Sequence, residues 1–148
     1  MYTIETAHIS DSPELLALQK LAFIQTAEIE GYEILPLQQT VEDVEMAFQE
    51  NIILKAVLDG KIVGAVRAQA DTGTCHISRL MVHPDHQNKG IGKSLMSEVE
   101  AIYKNTRFEL FTASINIGNI RFYEKLGYRV FKTGMLPGIE SHFAFMEK

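Results

Sequence analysis

At 148 residues, 46% of them hydrophobic, the chain has the length of one domain and enough apolar material for a real core, so a single domain over residues 1–148 is expected. Its formal net charge of −5 argues against a nucleic-acid partner, which would need a basic face. The lone cysteine, Cys75, excludes an internal disulfide and a thiolate zinc cluster; no apolar run approaches the roughly 20 residues of a membrane span and Met1 to Thr6 lacks the layout of a signal peptide, so a cytoplasmic protein without membrane contact is expected.

Tyr2, Ile4 and Thr6 alternate with Thr3, Glu5 and Ala7, which predicts a short first strand. Ser12, Pro13 and Glu14 read as a helix start: a capping hydroxyl, a residue with preset φ, and a carboxylate at the positive dipole end. Leu15, Leu16, Leu18, Ala22 and Phe23 then supply an apolar stripe. From Glu28 to Gln39 that period is lost, and with Gly31 and Pro36 inside it the segment reads as an irregular connection or frayed helix end. Thr40 and Asp43 resemble a capping box ahead of a second short helix through Val41, Val44, Ala47 and Phe48.

The pattern changes to strand at Ile52. Ile52 to Leu58 and Lys61 to Gln69 flank Asp59-Gly60, a dipeptide suited to the positive φ of a two-residue hairpin turn. A second turn over Asp71 to Thr74 leads into a strand from Cys75 to Val82. Helical spacing returns between Gly90 and Tyr103 through Ile91, Leu95, Val99 and Ile102. Phe108 to Ala113 follows that helix as a crossover strand, which makes it parallel to Cys75 to Val82. Asn119 to Leu126 reads as a short helix ended by Gly127. Tyr128 to Thr133 and His142 to Met146 close the chain as a strand pair, joined by a loop containing Gly134, Pro137 and Gly138.

The chemistry concentrates in Val82 to Met96. A strand end and a polar turn fixed by Pro84 lead to Gly90 and Gly92 at the opening of an amphipathic helix, an order that makes an anion site. Free N–H groups converge at a helix start, and glycine lets the main chain approach an oxygen closely. Lys89, Lys93, His83 and His86 add positive potential there to an otherwise acidic chain. Gly92-Lys93-Ser94 mimics the tail of a Walker A loop, but that loop would need glycine at Gln87; the dinucleotide fingerprint would need its third glycine at Leu95. Both nucleotide readings fail. His83 and His86 sit beside a proline turn without an organised third ligand, so no metal site is expected.

Gln87-Asn88-Lys89-Gly90-Ile91-Gly92 resembles the signature of the GCN5-related N-acetyltransferase (GNAT) superfamily, [Q/R]-x-x-G-x-[G/A] after a strand. Asn116 to Tyr128, with Asn119, Phe122, Tyr123 and Gly127, is similar to the second helix motif of that family, in the family's order. The resemblance implies an α/β (α+β) fold with a mixed, mainly antiparallel sheet of about seven strands, about four flanking helices and a splayed parallel strand pair. It also implies acetyl-CoA as co-substrate and no metal. The pantetheine arm would lie in the splayed gap against the backbone of Leu80, Met81 and Val82, and the pyrophosphate on the amides of Gln87, Asn88, Lys89, Gly90, Ile91, Gly92 and Lys93. Asn116 and Asn119 match positions that contact the cofactor arm.

The activity implied is acetyl transfer to a primary amine of a small molecule or peptide by direct attack, with Tyr123 as general acid. A phenol of pKa about 10 can donate a proton or hydrogen bond to the departing thiolate. Many relatives carry a glutamate on the strand before the signature, whereas His76 and Ser78 stand there in this chain. His76 as base, with Ser78 positioning a water, is one expectation; Glu28, Glu30 and Glu33, near the acceptor side, offer another. A catalytically silent acyl-CoA sensor is the alternative function. Ile24 to Gln39 and Gly134 to Ser141 are expected to shape the acceptor pocket, and a homodimer would be in keeping with the family.

Overall fold

The structure, a computed structural model, describes residues 1–137 and 142–148. Seven strands form one sheet: β1 (Thr3–Thr6), β2 (Ile52–Leu58), β3 (Lys61–Asp71), β4 (Thr74–Val82), β5 (Arg107–Ala113), β6 (Arg129–Met135) and β7 (His142–Glu147). Their spatial order is β1-β2-β3-β4-β5-β7-β6, and the β4–β5 pair is parallel while the others are antiparallel. The helices are α1 (Ser12–Glu30), α2 (Leu35–Gln38), α3 (Val41–Ala47), α4 (Ile91–Ile102) and α5 (Ile117–Lys125).

Local chemistry accounts for most of these boundaries. Asp59 and Gly60 take φ of 51° and 76°, so the β2–β3 hairpin closes through two left-handed residues as the dipeptide requires. Thr40 Oγ1 accepts from the Asp43 N–H at 3.3 Å while Asp43 Oδ2 accepts from the Thr40 N–H at 2.9 Å, completing the capping box of α3. At α1 the expected cap shifts by one residue. Asp11 is the N-cap, and Ser12, fully buried, instead donates its hydroxyl to the Ile9 carbonyl at 2.6 Å.

Helical structure reaches further into Glu28 to Gln39 than the loss of period predicts. Buried Ala27 holds the last turn of α1 against its neighbours, and the helix stops only where Gly31, at φ 100°, donates its N–H to the Ala27 carbonyl at 2.7 Å. Pro36 lies in the first turn of α2 and acts there as a helix starter. Among the described residues the count is therefore five α-helices against the expected four or so. Strand β6 also runs through Gly134 to Met135, so that glycine is sheet and not loop. Gly138, assigned to the same loop, and Ser141 lie outside the described residues.

The sheet buries both faces. Leu54, Val66, Ile77 and Phe108 pack with Leu95, Met96 and Val99 of α4, and Ile53, Ile62, Ala65 and Met81 pack with Leu15, Leu18 and Val44 of α1 and α3. Alternation along β2 sends Leu54 and Ala56 to one cluster and Ile53 to the other. Gly64 on β3 permits the closest approach: a Cβ there would meet Ile91 Cγ2 at 2.8 Å and the Met81 carbonyl oxygen at 3.2 Å. A single hydrogen atom thus sets how tightly the start of α4 seats on the sheet.

Candidate active site

Strands β4 and β5 pair only at Thr74–Arg107, Cys75–Phe108 and His76–Glu109. Beyond His76 they part, and β4 keeps its ladder with β3 alone. A one-residue bulge at Arg79-Leu80, opposite the single residue Val66, breaks even that ladder. Arg79 adopts φ 51° at the bulge, a conformation that costs a non-glycine residue about 1–3 kcal/mol and marks functional sites. The gap opens into a cleft of about 410 Å³ lined by Leu80, Met81 and Val82 on its floor, within the usual size of a small-molecule site.

One end of the cleft is the start of α4. Gly90 is its N-cap at φ 82°, and Asn88 is also left-handed at 62°. The first helical hydrogen bond runs from the Ser94 N–H to the Gly90 carbonyl at 2.9 Å, so the N–H groups of Ile91, Gly92 and Lys93 have no helical partner. A Cβ on Gly92 would lie 3.4 Å from Phe122 and 3.7 Å from Val82, two residues that line the cleft, so a side chain there would point toward the cleft lining. The Tyr2 and Ser94 hydroxyls share a 2.7 Å hydrogen bond, which ties the first strand's entry to this loop. Gln87, Asn88, Gly90, Ile91, Gly92 and Lys93 line the cleft. Lys89 stands outside that lining, its Nζ 3.4 Å from His86 Nδ1.

The two walls come from α1 and α5. Ala22, Phe23, Gln25, Thr26 and Ile29 form the first, and Gln25 accepts a hydrogen bond from Gln87 at 3.1 Å across the cleft. Asn116, Asn119, Phe122 and Tyr123 form the second. Asn116 is almost fully buried and both ends of its amide are used: Oδ1 accepts from the Asn119 N–H at 3.2 Å, and Nδ2 donates to Glu30 Oε2 at 2.9 Å. That residue pins α5 to the end of α1. Asn119 Nδ2 donates to Thr112 at 3.2 Å. Loss of water pushes the Glu30 carboxyl up from its ordinary range, and the Asn116 hydrogen bond only partly offsets this. Burial also pushes the Tyr123 phenol upward, so it stays protonated across the neutral range.

Other expected residues fall elsewhere. His76 lies in the still-paired part of β4, half exposed, with Nδ1 3.9 Å from Glu109 Oε2. Ser78 pairs with Arg67 of β3, and neither His76 nor Ser78 lines the cleft. The reason is register: the gap opens only after His76, and the bulge then turns Leu80 toward it. The chain passage that sequence reading left without a role is the Arg67 and Arg79 pair. Both are held largely out of water beside Gln19, and burial together with the neighbouring charge of Arg79 lowers Arg67 to about 10. Its visible signal was an arginine interrupting the apolar stretch from Ile62 to Ala68.

The mixed sheet, the gap between β4 and β5 and the glycine-opened helix at its mouth define a GNAT-type acyltransferase fold. The chain belongs to the Acetyltransferase (GNAT) family, whose profile matches residues 13–128. It is 30% identical over 122 residues to UPF0157 protein YqkA of Bacillus subtilis (strain 168), covering 81% of this chain and 35% of YqkA. Across the curated relatives first matched, the chain spans about a third to a half of their length, at 35%, 53% and 36%. The ribosomal-protein-S18-alanine N-acetyltransferase of Escherichia coli shares the fold with a TM-score of 0.80 at 16% identity, covering 99% of this chain and 92% of that one. The PaiA N-acetyltransferase of Thermoplasma acidophilum, solved in complex with coenzyme A, does so with a TM-score of 0.74 at 21% identity, covering 100% and 98%.

Proposed function

We propose that the chain transfers an acetyl group from acetyl-CoA to a primary amine of a small molecule or peptide. The observation that carries this reading is the single cleft that joins the unpaired edge of β4, the open amides of α4 and the Tyr123 phenol. The cradle fits a coenzyme: the open amides of α4 and the Lys93 ammonium together suit a pyrophosphate. The thioester supplies an activated acetyl group. Residues of the chain do the rest.

Leu80, Met81 and Val82 offer main-chain groups to the pantetheine amides, and an N–H among them stabilises the negative charge that develops on the carbonyl oxygen, an effect commonly worth about 3–4 kcal/mol. Glu30 follows the cleft-lining Ile29 without lining the cleft itself and accepts a hydrogen bond from Asn116, so it receives the proton that the attacking amine releases through an intervening water. Its raised affinity for a proton suits that task better than an exposed carboxylate. Tyr123 donates to the sulfur as the C–S bond breaks, leaving the N-acetylated amine and free coenzyme A.

Titration calorimetry with acetyl-CoA, followed by thiol release measured across an amine panel, tests the proposal. Binding with turnover is expected. Absence of affinity for acetyl-CoA and every other acyl-CoA overturns it, and tight binding without turnover on any amine would leave an acyl-CoA sensor.

A further inference from the structure

We infer that the acceptor amine is a small molecule carrying a carboxylate, and that Arg67 and Arg79 grip that carboxylate beside the cleft. The inference deepens the acetyl-transfer reading and rests on it. Arg67 sits on β3 and Arg79 at the bulge of β4, so the strands carry two guanidinium groups into one partly buried place. Among the described residues neither makes an ion pair with a carboxylate. Arg79 Nε is buried there without any hydrogen-bond partner. What surrounds them is neutral: Arg67 Nη2 reaches Gln19 Oε1 at 3.5 Å and Arg79 Nη2 reaches Gln39 Oε1 at 3.4 Å, both at the outer limit of a hydrogen bond.

Buried charges are ordinarily paired, and two like charges together without an anion are costlier still. Lost hydration depresses both guanidinium groups, and the neighbouring charge of Arg79 depresses Arg67 further, yet Arg67 at about 10 remains a cation at neutral pH. A void of about 10 Å³ lies among Gln19, Arg67, Arg79, Met81 and the apolar side chains Leu15, Val44, Ile53, Ala65 and Val66, and Met81 is the residue it shares with the main cleft. Two forked donors match the two oxygens of a planar carboxylate, and such an anion would replace the long contacts to Gln19 and Gln39.

The test uses matched amines: β-alanine and a set of α-amino acids, their amides, and ethanolamine phosphate. The wild-type chain is expected to favour the best acid over its amide by roughly 10- to 100-fold in kcat/KM, mainly through KM. Arg79→Gln and Arg67→Gln should abolish that ratio while acetyl-CoA affinity is retained, and Arg79→Lys should restore part of it. Calorimetry on the coenzyme A complex adds a readout without turnover: the N-acetylated acid should bind and its amide should not. Acetylation of amides or peptide amines with equal efficiency, preference for the phosphate, or variants that lose stability with the ratio unchanged would each overturn the inference. A chain that fails to bind acetyl-CoA would instead remove the acetyl-transfer reading itself.

Discussion

Tyr123 and Glu30 are both pushed toward their protonated forms by loss of water, with opposite consequences. The phenol holds its proton at every working pH and is available to hydrogen-bond a departing thiolate, while the same shift makes full proton transfer to it less favourable. Tyr123→Phe is therefore expected to lower kcat by roughly 10²-fold with acetyl-CoA affinity retained; equal loss in calorimetry and turnover would mean the ring, which meets Phe122 at 5.2 Å and Tyr128 at 6.0 Å, serves packing. For Glu30 the folded chain binds the proton more tightly than the unfolded chain does. The associated stability is complete below the ordinary value of 4.5 and is lost as pH rises through the raised folded value. Glu30→Gln should flatten that slope in thermal melts against pH and remove the corresponding limb from the pH–rate profile. Cys75, fully buried with its thiol pushed up to about 11, should stay inert to thiol reagents until the chain is denatured, as a count of reactive thiols would check.

At the scale of elements, turns and caps were the legible part, because their cause is local. Asp59-Gly60 and the Thr40–Asp43 box act within a few residues and appear where composition put them. The end of α1 and the start of α2 were not legible from the apolar period: α1 runs on to Gly31 with Ala27 buried, and Pro36, which reads as an interruption, sits in the first turn of α2. The same is true of Gly64, which reads as a weak point in a strand until α4 is seen 2.8 Å from its missing Cβ. Gly64→Ala should cost about 1–3 kcal/mol in denaturant unfolding. Because the displaced atom belongs to Ile91 in the first turn of α4, acetyl-CoA affinity should fall as well. Loss of stability with unchanged affinity would separate the helix seat from the cradle.

For the whole molecule, both sequence motifs fall on one cleft, at the start of α4 and on its α5 wall, since each motif is contiguous and builds its own local geometry. The wall from α1, Glu30 against Asn116, and the arginine pair of β3 and β4 are assembled from separate segments, and no single window of sequence displays them. His76 misled for a related reason: alternation gives a face of the strand but not the point at which the neighbouring strand departs. Ligand binding should be felt globally, with acetyl-CoA at 100 times its Kd raising stability by about 2.7 kcal/mol in melts of the folded chain.

The parting of β4 from β5 has a further consequence. Three register pairs, Thr74 to His76 against Arg107 to Glu109, stitch β1 to β4 onto the group of β5, β7 and β6. The sheet is in effect two rafts fastened at one end, and their mutual tilt is set by that short seam and by the helices laid across it. A ligand lying in the gap becomes a second fastening. Amide hydrogen exchange along Ile77 to Val82 should then slow on addition of coenzyme A while the amides of Thr74 to His76, already stitched, change little.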